Sequence, residues 1–133
     1  MTDPIADMLN RIRNAQAVLK ETVIIPFSSL KYEIAKILEK QGLVGKLEKS
    51  GRKPRKVFEI TLKYLSAGRT SSPVISGLKR VSRPGQRIYT GFKEIRPIRG
   101  GYGISIISTP KGLMTNIEAK RKKLGGEVIC EIW

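Results

Sequence analysis

The 133-residue chain has no histidine, one cysteine and few aromatic residues (6%). Without histidine there is no imidazole general base, no Ser-His-Asp or Cys-His nucleophile system and no histidine metal ligand. One cysteine excludes an intrachain disulfide framework and a multi-cysteine zinc site. Nothing near Cys130 argues for a reactive thiolate, so it reads as a small packed residue. Long apolar runs are also missing. Val23-Ile24-Ile25 is typical of the longest and falls far short of a membrane span. Met1-Thr2-Asp3-Pro4 carries no basic segment leading into an apolar run, so no secretory leader is expected. Acidic residues are scarce, 11 against 26 Lys and Arg, leaving a net charge of +15.

Enzyme patterns are missing as well. There is no phosphate-loop glycine pattern, no paired-carboxylate motif and no metal-ligand cluster, and Gly100-Gly101-Tyr102-Gly103 is not the dinucleotide fingerprint. The expectation is therefore a non-enzyme with no catalytic residues, no metal and no cofactor. A nuclease built on lysine alone would lack an acid/base pair. The basic excess points instead to a polyanion, and nucleic acid is its natural form because Lys and Arg neutralise phosphates and release counterions. A membrane surface would call for a long amphipathic stretch with aromatics opposite lysines, and none is present, so no membrane partner is expected. Chromosomal DNA remains a weaker variant of the same reading.

Hydrophobic residues make up 40% of the chain, enough for a modest core. Asp3 and Pro4 suit an N-cap and first helical position, and Ile5, Met8, Leu9 and Ile12 follow as one apolar stripe. Thr22 to Ile25 reads as a strand ended by Pro26. Ser28 or Ser29 caps a second helix, with Leu30, Ile34, Ile37 and Leu38 inward and a stop at Gly42. Leu43–Glu48 and Val57–Tyr64 read as strands joined by the basic loop 50–55. The eight residues 66–73 lack apolar periodicity and read as a linker. Beyond it come strands over 74–81 and 87–90, a Pro84-Gly85 turn, the apolar strand 104–108, a turn at Pro110-Lys111-Gly112, a helix opened by the capping box Thr115-x-x-Glu118 and stopped at Gly125-Gly126, and a last strand over 127–133. The expected fold class is α+β: two small α+β domains, 1–65 and 74–133, packed together through the short linker 66–73. Residues 1–64 hold 13 basic and 7 acidic residues (net +6), and residues 65–133 hold 13 and 4 (net +9).

Several local patterns carry a functional and an ordinary reading side by side. Lys120 to Lys123 and Arg52 to Lys56 are phosphate-contact patches or solvated ends. Ser108-Thr109-Pro110-Lys111-Gly112 offers hydroxyls, a cation and close backbone approach, or is a plain hairpin turn. Arg83, Arg87 and Tyr89 form a basic, aromatic surface for an unstacked base, or Tyr89 packs at a domain edge. Glu127, after Gly125-Gly126, accepts from a base amino group or orients a neighbour, or is a surface strand residue.

Taken together, these segments resemble a known family. Thr2-Asp3-Pro4-Ile5-Ala6-Asp7-Met8-Leu9-Asn10-Arg11-Ile12-Arg13-Asn14 closely resembles the N-terminus of the S-eight family of the bacterial small ribosomal subunit. Gly77 to Gly85, Ser108 to Thr115 and Gly125 to Cys130 resemble its C-terminal half in the same order. The resemblance implies a primary binder of small-subunit ribosomal RNA, cytoplasmic on the ribosome, with neighbouring small-subunit proteins as partners. It implies that the C-terminal half holds an irregular helix of the central rRNA domain, while the N-terminal half touches other rRNA helices. It also implies repression of the protein's own operon mRNA as an alternative use of the same surface. By position, Ser108, Thr109, Lys111 and Gly112 fall in the family's main RNA-contact loop. Tyr89, Gly125, Gly126 and Glu127 fall beside it. Thr2, Asp3, Pro4, Arg11, Asn14, Ser28, Ser29 and Lys31 fall on the N-terminal rRNA surface. Where the family's pattern has a second serine, this chain has Pro110, which removes both a hydroxyl and an N–H.

Overall fold

Ile5, Met8, Leu9 and Ile12 form the buried stripe of the first helix, α1 (Pro4–Ala17), in a computed structural model that describes residues 2–133, the Ala67 side chain excepted. The chain divides into two compact units, residues 4–76 and Gly77–Trp133 with the segment leading to Asp3. Both are α+β, as the sequence predicts.

In the first unit, β1 (Thr22–Pro26), β2 (Val44–Ser50) and β3 (Val57–Leu62) form an antiparallel sheet in the order β1-β3-β2. Phe58, Ile60 and Leu62 alternate inward along β3, the period-two pattern of a strand with one buried face. The second helix, α2 (Ser29–Lys40), starts where Ser28 Oγ accepts a hydrogen bond from the Lys31 amide at 3.1 Å. Its buried face differs from the expected one. Leu30 is exposed, Ile37 is half-buried, and Lys31 joins Ile34, Ala35 and Leu38 inside. Spacings of 31-34-35-38 and 30-34-37-38 both fit a helical stripe, and packing selects the first.

The segment read as a linker is paired. Tyr64–Ala67 (β4) and Thr70–Pro73 (β5) form an antiparallel hairpin, and the Val74 amide extends it by donating to Lys63 O at 3.1 Å. Gly68, at φ +65°, supplies the left-handed residue that closes the turn. Tyr64, expected at the end of the preceding strand, opens β4 instead, and its hydroxyl donates to Lys20 O.

The second unit is built on a sheet ordered β6-β10-β8-β9, with β7 also pairing β10. These strands are β6 (Leu78–Arg80), β7 (Tyr89–Thr90), β8 (Ile104–Thr109), β9 (Gly112–Thr115) and β10 (Gly126–Ile132). The short helix α3 (Asn116–Arg121) covers the sheet, with Thr115 Oγ1 accepting from the Glu118 amide as its N-cap. Ile107, Met114, Ala119 and Ile95 form a core here, flanked by Phe92, Leu124 and Val128. Strands β6 and β7 are shorter than expected because the chain folds back between them. Ser82 is fully buried, donates to Ile88 O and accepts from the Ile88 amide, which closes the loop around Pro84-Gly85. The helix stop also differs. α3 ends at Arg121 with Lys122 as its C-cap, and Lys123 takes the left-handed position at φ +57° in place of Gly125-Gly126. Among the described residues no helix is long and apolar enough to cross a membrane.

Candidate nucleic-acid interface

The register of the second sheet brings three of the expected residues into one row. Glu127 on β10 stands opposite Tyr89 on β7 and opposite Ser108 on β8. Directly opposed residues share a sheet face, with neighbouring strands about 4.8 Å apart. Tyr89, Glu127 and Ser108 therefore run side by side across three strands, and Leu113 on β9 continues the row. Tyr89 is 70% exposed and Ser108 is half-buried. Among the described residues the Ser108 hydroxyl has no side-chain partner. Arg87 Nη1 donates to Glu127 Oε2 at 3.1 Å, so the one carboxylate in the row carries its own cation. The sequence places Arg87 on this surface, but 40 residues of chain separate it from Glu127 and no local pattern reveals the pair.

Two glycines make the row possible by having no side chain. A Cβ on Gly126 would run into Ser108 O, and one on Gly125 into Thr90 O and Gly91. Gly125-Gly126 thus lets β10 lie close to β7 and β8, rather than ending the helix before it. Their role is backbone approach, with no side chain to offer a ligand.

The turn after β8 is self-contained. Thr109 is buried; its Oγ1 donates to Gly112 O at 2.8 Å and accepts from the Lys111 amide at 3.1 Å. That hydroxyl builds the turn and is not available in the way Ser108's is. Pro110 and Lys111 form the two-residue tip, where proline's fixed φ suits the first turn position. Gly112 sits at φ +108° with open space around its Cα. Lys111 projects from the tip, exposed. Arg83 lies at a second tip, bridged to Gln86 across Pro84-Gly85 and exposed.

The basic clusters divide on inspection. Lys120 Nζ donates to Ile95 O at 3.1 Å, and Lys122 pairs with Glu118 at 3.1 Å. Arg121 and Lys123 are exposed. In the first unit Lys56 lies over the Phe27 ring, 4.3 Å from its centroid, and Lys49 over Tyr32 at 4.6 Å. Phe27 and Tyr32 pack on Phe58, so these aromatic faces are covered by lysine and offer no free stacking platform. The sequence reading missed this cluster, since the aromatics lie on three separate elements.

The residues expected on the N-terminal RNA surface also separate. Asp3 belongs to the second unit, where Arg80 Nε contacts both its oxygens at 3.3 and 3.1 Å and Arg80 Nη1 reaches Ile129 O at 2.7 Å. This carboxylate is committed to an ion pair. Ser28 is committed to capping α2. Lys31 is only 6% exposed, and burial lowers its pKa while the nearby Asp7 opposes that shift. Thr2, Pro4 and Ser29 are exposed, and Pro4 is the first residue of α1. Arg11 pairs with Asp7 at 2.9 Å and, with Asn14, lines a shallow groove beside Lys20 and Thr22.

A scan against family models matches residues 3–133 to ribosomal protein S8. The chain belongs to the ribosomal protein S8 family. Its relatives agree along the whole length. It is 53% identical to the small ribosomal subunit protein uS8 of Caldanaerobacter subterraneus subsp. tengcongensis, covering 100% of this chain and 98% of that one. Identity is 47% to the uS8 of Thermus aquaticus, covering 100% and 99%, and 44% to that of Petrotoga mobilis, covering 99% and 98%. Membership makes the chain a structural protein of the small ribosomal subunit rather than an enzyme, working in the cytoplasm on the ribosome.

Proposed function

We propose that the chain binds small-subunit ribosomal RNA by holding an irregular helix of the central domain against the row Tyr89–Glu127–Ser108. The observation that carries this is the row itself: a free hydroxyl, an exposed phenol ring and a cation-paired carboxylate on one face of one sheet. A regular A-form duplex hides its base edges in a deep, narrow groove, whereas an irregular helix splays bases that can stack on an aromatic ring and meet polar side chains. Tyr89 supplies the ring and Ser108 a donor and acceptor. Glu127 accepts from a base amino or ribose hydroxyl, while Arg87 fixes its orientation. Lys111 and Arg83, on the two exposed tips, contact phosphate and contribute the salt-dependent part of the affinity.

In this reading the C-terminal unit is the main RNA-binding domain. The groove beside Arg11 and Asn14 in the N-terminal unit gives a secondary contact to other rRNA segments. Neighbouring small-subunit proteins complete the assembly. An mRNA leader that imitates the irregular helix would occupy the same row, which makes repression of the chain's own operon a competition for one surface.

The test is binding to the irregular helix and to the leader, each measured against a fully paired control. Preference for the irregular RNAs, lost in Ser108→Ala and Glu127→Gln, supports the reading. Equal binding to all three RNAs would sink it.

A further inference from the structure

At the opposite end of β8 from Ser108, α3 and residues 95–103 enclose a groove of about 380 Å³. Gly103 and Ser108 are five residues apart on an extended strand, which places the groove roughly 16 Å from the row at about 3.3 Å per residue. Its volume lies within the range of ligand-binding clefts, about 300–1,000 Å³.

The wall is aliphatic: Pro97, Ile98 and Ile117, with Ile95 below. Ile117 is 64% exposed although it sits in the first turn of a helix whose other apolar side chain, Ala119, is fully buried. The polar groups of the floor already have partners. Asn116 Oδ1 accepts from the Ser105 amide and its Nδ2 donates to Arg96 O, both at 3.2 Å. Lys120 is held on Ile95 O. Every charged side chain lining the groove is cationic, and of these the Arg96 and Arg121 guanidinium groups have no side-chain partner among the described residues.

We propose that this groove docks a segment of a neighbouring protein that presents an aliphatic side chain flanked by carboxylates. The aliphatic residue covers Ile117 and Ile98, and its acidic neighbours pair with Arg96 and Arg121. RNA fits less well. Phosphates would satisfy the arginines, but no aromatic ring lines the groove for a base to stack on, and the floor has no free donor or acceptor to read one. A lipid surface is disfavoured because α3 has only 6 residues.

The test places the photo-reactive residue benzoylphenylalanine at position 117 of the full chain (Ile117→benzoylphenylalanine). The protein is then assembled into small subunits from ribosomal RNA and the remaining subunit proteins. The expected product is a crosslink to one protein, mapping to a peptide with Asp or Glu within a few residues of the attached aliphatic side chain. In an Arg121→Glu background its yield falls by up to about fivefold, the upper scale of one exposed charge pair. A crosslink to RNA, to a basic peptide or to a second copy of this chain would overturn the proposal, as would no crosslink in assembled subunits. Binding of the isolated rRNA helix, measured on the Ile117→benzoylphenylalanine protein, should be unchanged. That separates failure at the groove from failure at the row.

Discussion

Arg87 Nη1, two residues before β7, and Glu127 Oε2 on β10 meet at 3.1 Å, and this pair places a carboxylate on the surface proposed for RNA without leaving it unbalanced. An unpaired carboxylate there would repel phosphate. Neutralised by Arg87, it can accept a hydrogen bond while adding little net charge.

Glu127→Gln keeps the shape and removes the charge. The freed Arg87 should strengthen binding to a regular, fully paired RNA and steepen its salt dependence by about one counterion. Preference for the irregular helix should fall about tenfold, as expected for one charged hydrogen bond of ~1.5 kcal/mol. Titrations of both RNAs over a salt series measure both effects. An unchanged preference would leave Glu127 as an ordinary strand residue.

Ser108 and Thr109 are adjacent and differ in what holds their hydroxyls. Thr109→Val removes two internal hydrogen bonds of the turn and should lower stability by about 1–2 kcal/mol, weakening both RNAs alike. Ser108→Ala should leave the melting temperature unchanged and cost only discrimination. Calorimetry with paired binding assays distinguishes the two variants. The reverse pattern would exchange their roles.

Gly126→Ala places a methyl group against Ser108 O, so β10 must move away from β8. The expected destabilisation is about 1–3 kcal/mol, typical of forced overpacking. Thermal unfolding checks it, and an unaltered melting temperature would mean that the strands part freely at this point.

Lys111→Ala should reduce the salt slope of RNA binding by about one while preserving the preference for the irregular helix, the signature of a phosphate contact. Lys120→Ala should change the slope less, because one N–H of its ammonium is tied to Ile95 O and the side chain lines the groove away from the row. Slopes measured side by side decide this, and a larger change for Lys120 would contradict the assignment.

Cys130 is fully buried on β10, and burial pushes its thiol up to about 12. At neutral pH it should resist alkylation in the native protein and react fully once unfolded. Fast labelling of native protein would show that β10 opens readily.

Local features of the fold were legible. The stripe Ile5, Met8, Leu9 and Ile12 and the Thr115 cap depend on residues three or four apart, and the structure bears them out; of the two serines open as the cap of α2 it selects Ser28. The hairpin over 64–73 was not legible, because Ser, Thr and Gly carry no apolar alternation whether paired or free. Motifs of the proposed RNA surface were visible one at a time, but their assembly was hidden. Tyr89 and Ser108 meet Glu127 only through strand register, and the reason for Gly126 lies in a carbonyl on another strand. Asp3, Ser28, Lys31 and Thr109 were expected at the RNA surface from their positions in the family's motifs alone. The structure gives each a fold-internal role that position in a motif does not reveal: ion pair, cap, burial or turn.

The most direct test is the affinity of the wild-type chain and of Ser108→Ala for the irregular central-domain helix and for a fully paired control, across a salt series. A wild-type preference for the irregular helix is expected at every salt concentration. Ser108→Ala should lose about 1 kcal/mol of that preference with the salt slope unchanged. Equal wild-type binding to both RNAs that collapses as salt rises would contradict this reading, leaving charge alone to explain the affinity.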